Sequence, residues 1–180
     1  MPRRDLRALA PLIHALIAVG VFFVLISSWW MMALPLPSKV FTYRAFPFQL
    51  HKNVGITVVF LVAVLLYLRL RYVLAARTSV PARPRMSRTA VVRNVLLYGL
   101  VLACCISGYL SSSYSGWGTR LWWLVNLPNW GYDNDELNIL YSDIHNWTCY
   151  VLVVVIAVHI GNVIYDAFRN EGTARRMLRL

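Results

Sequence analysis

The sequence predicts an all-α membrane protein, a bundle of four transmembrane helices with both termini cytoplasmic. Three observations carry that prediction. Hydrophobic residues make up 59% of the 180, and the mean hydropathy is +0.57, against an apolar share of roughly 45–50% in soluble domains. Four apolar runs are each long enough for a helix to cross a hydrocarbon layer of about 30 Å. They leave no length for a separate soluble domain, so residues 1–180 read as one membrane-embedded domain. The basic residues are also lopsided. With the amino terminus inside, Arg3, Arg4, Arg7, Arg69, Arg71, Arg77, Arg83, Arg85, Arg88, Arg93, Arg169, Arg175, Arg176 and Arg179 fall on one side, fourteen of the eighteen. Only Lys39, Arg44, Lys52 and Arg120 fall on the other, as the positive-inside rule requires. The net charge of +11 is therefore topological, with anionic lipid headgroups rather than nucleic acid as its counter-charge.

The first helix is expected over 11–32, opening on Pro11, whose fixed φ suits a first turn, and closing in the interfacial aromatics Trp29 and Trp30. It is too long for a signal-peptide core and no small-residue cleavage site follows. Pro35, Pro37 and Pro47 mark 34–48 as an outer loop, whose Phe41, Tyr43, Phe46 and Phe48 suit the interface, and Pro47 can start a second helix over 47–72. The arginine-rich stretch 69–93 contains no acid and is broken by Pro81 and Pro84, so it reads as a cytoplasmic loop. A third helix over 91–110 carries Gly99, Cys104, Cys105, Ser107 and Gly108, small residues that let helices approach closely. The outer loop 111–143 is rich in Trp and Tyr; a short amphipathic helix over 119–127 and an irregular acidic stretch around Asp133 are expected there. The fourth helix is expected over 144–165. The three cysteines form no disulfide framework and read as small packing residues.

All four histidines of the chain lie in these runs. His14 and His159 share the cytoplasmic depth; His51 and His145 share the outer depth. Buried polar rings in a membrane are costly and need partners, and unrelated residues would not fall at two levels. A single bound ion cannot take them all, because the fourteen residues between His145 and His159 separate them by about 21 Å along a helix. Two imidazoles alone would also half-fill a zinc site, which usually takes four ligands. A haem iron takes four ligands from its macrocycle and leaves two axial positions, which one histidine from each of two facing helices completes. The spacing therefore predicts two haems, and the absence of a CxxCH sequence makes them non-covalent b haems. Iron with six ligands favours electron transfer over oxygen chemistry. The anionic propionates call for cations: Arg7, Arg69 or Arg71 at the cytoplasmic level, and Arg44, Lys52 or Arg120 at the outer one. Each of these also suits a lipid headgroup.

The runs H51-K-N-V-G-I, S107-G-Y-L-S-S-S-Y-S-G, D143-I-H-N-W with the step to His159, and E171-G-T-A-R-R-M-L resemble the bacterial cytochrome b561 family over nearly the whole chain. The chain has Asp166, Val91 and Asn94 where members of that family often carry histidines, and Leu65 where they carry an arginine, while Arg69 matches a second arginine. The resemblance implies a multi-pass protein of the bacterial inner membrane with two b haems and His14, His51, His145 and His159 as axial ligands. It also implies electron exchange with the quinone pool, ubiquinone being the expected substrate, and in some members oxidation of superoxide at the periplasmic face. The expected function is electron transfer between the periplasmic side, where a redox donor would dock, and the quinone pool. The alternatives are a haem-bearing anchor or electron-transfer subunit of a larger redox complex, and a membrane transport or structural protein without haem. The aromatic outer loop serves equally as a docking surface or as a cap.

Overall fold

A computed structural model describes residues 3–33, 42–77 and 88–169, with side chains from residues 9, 46 and 91 onward in the three segments and to residue 71 in the second. It is an all-α bundle: α1 (Arg3–Ala33), α2 (Thr42–Arg77), α3 (Arg88–Tyr114) and α4 (Asp135–Arg169), with a two-stranded hairpin, β1 (Thr119–Leu121) and β2 (Val125–Leu127), between α3 and α4. Each helix contains a span long and apolar enough to cross a membrane: Leu9–Ala33, Phe46–Arg71, Val91–Tyr114 and Asp135–Arg169. The helices alternate in direction. One end of the bundle gathers the arginine-flanked starts of α1 and α3 and ends of α2 and α4; the other carries the hairpin.

Every helix runs past the limits expected from its apolar core. α1 begins at Arg3, so Pro11 lies inside it. α2 begins at Thr42, with Pro47 as its sixth residue rather than its first. A proline so near a start removes one hydrogen bond from a turn that has few, which limits its cost. α3 continues through the serine run because the hydroxyls satisfy themselves locally, as when Ser113 donates to the Tyr109 carbonyl at 2.9 Å, and across helices, where Ser111 and Ser142 meet at 2.8 Å. α4 starts nine residues before Ile144, at Asp135. There the Asn134 side chain accepts the Leu137 N–H at 3.0 Å as an N-cap, and Asp135 and Glu136 suit the positive end of the helix dipole. Hydropathy marks the membrane's edges, whereas helices end where their backbone groups find other partners. Of the expected loops, 34–41 and 78–87, with the tail 170–180, lie outside the described residues.

The segment 119–127 is a hairpin and not the amphipathic helix that was expected. Thr119 pairs with Leu127, Arg120 with Asn126 and Leu121 with Val125. Trp122 and Trp123 reverse the chain at φ of 43° and 61°, a left-handed conformation costly for large side chains. The compensation comes from α2. Gln49 accepts the Arg120 N–H at 3.2 Å and donates to the Gly118 carbonyl at 2.8 Å. Asn53, fully buried, accepts the Trp122 N–H at 2.8 Å, and Thr57 accepts the Trp122 indole N–H at 3.2 Å. Gln49, Asn53 and Thr57 are spaced by four, one face of one helix, and nine residues of local pattern cannot announce partners supplied from seventy residues away.

The core is small and shared: Ile17 and Val21 from α1, Val58, Val62 and Leu65 from α2, Val101 and Cys104 from α3, and Leu152 from α4. Most other span residues face outward, as a bilayer solvent permits. α1 packs along α2 and α3 along α4, and the two pairs join thinly through α2 and α3. Among the described residues α4 makes no extended contact with α1 or α2.

Candidate cofactor site

The four histidines meet in two pairs, each joining α4 to one of the first two helices. At the arginine-rich end, His14 of α1 faces His159 of α4 with ring centroids 6.4 Å apart and planes at 60°. At the hairpin end, His51 of α2 faces His145 of α4, again at 6.4 Å, with planes at 82°. Two imidazoles bound trans to one metal, each through a bond of about 2.0 Å with its ring centre about 1.2 Å behind the donor nitrogen, would have centroids about 6.4 Å apart. Both separations match that value.

Hydrogen bonds define the tautomers at the hairpin end. His145 Nδ1 lies 2.8 Å from the Cys104 carbonyl oxygen; a carbonyl only accepts, so Nδ1 carries the proton and Nε2 keeps its lone pair. Ser27 donates its one hydroxyl proton to the Val24 carbonyl at 3.2 Å and so accepts from His51 Nδ1, also at 3.2 Å. His51 therefore also keeps Nε2 as a free donor atom, the arrangement by which metal-binding imidazoles are oriented from behind. Gly108 makes room for this: a Cβ there would stand 3.0 Å from His145 Cε1 and Nδ1. Gly55, one turn from His51, has no atom within 4 Å of where its Cβ would be, so packing within the protein does not account for a helix-weakening glycine there. At the other level, His159 Nδ1 is buried without a hydrogen-bond partner among the described residues, the kind of orphan that a missing group can explain. The ring separations, the orientation of His51 and His145 from behind and the unpartnered His159 Nδ1 suit a metal-bearing group that paired imidazoles would hold.

The cations divide. Lys52 is half-buried beside His51. Arg69 acts electrostatically on His14 and lies over the Tyr98 ring at 5.4 Å. Arg71 turns to its own helix, reaching the Tyr67 hydroxyl at 3.4 Å, and Arg120 is exposed on the hairpin. Arg7 and Arg44 lie outside the residues whose side chains are described. Arg93, which is not among the cations expected there, acts on His159 electrostatically and has a buried Nε without a partner among the described residues. Its position within the start of an apolar run was the available signal. Ser27 and the Cys104 carbonyl carried no signal, because their roles exist only across helices.

Fold and site together define a helical membrane protein with imidazoles paired between helices at two levels. The family model described as prokaryotic cytochrome b561 matches residues 6–180. The chain belongs to the prokaryotic cytochrome b561 family, and so to the multi-pass bacterial membrane b-type cytochromes that bind haem b and serve electron transfer. No curated protein matches it as a relative.

Proposed function

We propose that His14 with His159 and His51 with His145 are the axial ligands of two b haems, and that the protein relays electrons between the periplasmic face and the quinone pool of the bacterial inner membrane. The observation that carries this is the 6.4 Å ring separation repeated at both levels, each pair joining α4 to one of the first two helices. Each haem, when bound, supplies a one-electron carrier; the chain supplies the rest. The Cys104 carbonyl orients His145 and Ser27 orients His51. Arg69 and Arg93 at one level and Lys52 at the other neutralise the propionates. The arginine-rich end faces the cytoplasm, because translocated segments are poor in Lys and Arg.

An apolar pocket of about 330 Å³ lined by Phe23, Ile26, Ser27, Trp30, Phe46 and Leu50 adjoins the hairpin-end pair. It shares Ser27 with His51, and its size and lining suit a lipid-soluble ring.

The test is a reduced-minus-oxidised spectrum with a haem-to-protein ratio on the purified protein. A ratio near two is expected, falling toward one in each single His→Ala variant as one level loses its haem. A colourless protein after expression with ample haem would refute the reading. Reoxidation of the reduced protein by a ubiquinone analogue, and its reduction by superoxide, test the partners.

A further inference from the structure

Of the three cysteines, two come together. Cys104 on α3 and Cys149 on α4 place their sulfurs 3.3 Å apart, whereas the Cys105 sulfur turns to the Gly55 carbonyl on α2 at 3.6 Å. Cys104 is buried and Cys149 half-buried. The pair also frames His145: the Cys104 carbonyl accepts a hydrogen bond from its Nδ1–H, and the Cys149 sulfur, one turn along α4, lies 3.6 Å from its Nε2. We propose that Cys104 and Cys149 are a reversible dithiol–disulfide couple that staples α3 to α4 beside His145, with a lipid-soluble quinone as the oxidant.

The sulfurs need to close by about 1.2 Å to reach a bond of about 2.05 Å, a movement small enough for side-chain rotation. In the step both S–H bonds break and one S–S bond forms; the two electrons and two protons pass to the quinone, which leaves as quinol. Both cysteines lie within membrane spans, where charged oxidants do not reach and a lipid-soluble quinone does. A metal is the competing occupant, since donor atoms of Cys104, His145 and Cys149 lie within 4.8 Å of one another. On the haem reading above His145 serves the pair with His51, and a second ion would compete for the same imidazole. The choice of oxidant rests on the quinone reading above; the couple itself rests on the sulfur geometry.

The test uses the full chain in detergent, reduced, freed of reductant and treated with a fully substituted benzoquinone, which cannot add thiols to its ring. The protein is then denatured, alkylated and weighed. The label count should fall from three to one, with a peptide linking Cys104 to Cys149, and from two to none in Cys105→Ser. Cys149→Ser should keep two labels under both conditions. Three labels after quinone treatment, a link through Cys105, or thiols held by an equivalent of zinc or copper that a chelator releases would each overturn the proposal. Azodicarboxamide is run in parallel: failure with both oxidants removes the couple, whereas closure by azodicarboxamide alone removes the quinone as oxidant. A haem spectrum on the same sample reports separately on the haem reading.

Discussion

Replacing Gly108 by alanine tests the site through its least conspicuous member. The new methyl carbon would lie 3.0 Å from two atoms of the His145 ring, and that ring is tied by a 2.8 Å hydrogen bond to the Cys104 carbonyl of the same helix. The ring must move by a few tenths of an ångström. Overpacking of this kind costs about 1–3 kcal/mol. Alanine also gains up to about 1 kcal/mol in helix propensity, but that gain is shared by the haem-free and haem-bound protein and cancels in the affinity. Only the displaced ring remains, because it can turn aside when empty and cannot when it must reach an iron. With about 1.4 kcal/mol per tenfold, haem affinity at the hairpin end should fall about 5- to 150-fold. The assay is haem titration of the haem-free protein, with the stoichiometry read after dilution. Gly99→Ala is the control, since nothing lies within 4 Å of its Cβ position. Gly108→Ala should retain close to one haem while Gly99→Ala retains two. Two tightly held haems in Gly108→Ala would refute the argument that His145 needs this gap.

Asn53→Ala should strip the Trp122 N–H of its 2.8 Å acceptor and cost about 1–3 kcal/mol, read as a lower thermal midpoint and faster proteolysis within 119–127. Asn134→Ala removes the cap of α4 and should cost about 1 kcal/mol, with midpoint lowered and haem ratio unchanged. A fluorescent reporter that matures only in the cytoplasm, fused after Leu180, should glow; a dark fusion present at full length would reverse the assigned orientation.

Where the histidines would meet was largely legible in the sequence, because membrane burial makes charge and polarity conspicuous. His14, His51, His145 and His159 stand out in apolar runs whatever surrounds them, and helical rise alone sorts them into two depths. The helix ends were not legible. Apolarity stops at the membrane surface, while the serine hydroxyls of α3 and the Asn134 cap of α4 carry those helices further. The hairpin was missed for a related reason: its backbone donors are satisfied by Gln49 and Asn53, far away in sequence.

By itself the sequence determined a four-helix membrane topology and four histidines at two depths, since both follow from the free energy of placing each residue type in hydrocarbon. Only the tertiary structure decided that α4 stands away from α1 and α2, that the imidazoles face each other at 6.4 Å, and that Cys104 and Cys149 touch. Those are distances between helices. They depend on which small residues meet at each crossing, a property of pairs of segments that no single segment contains.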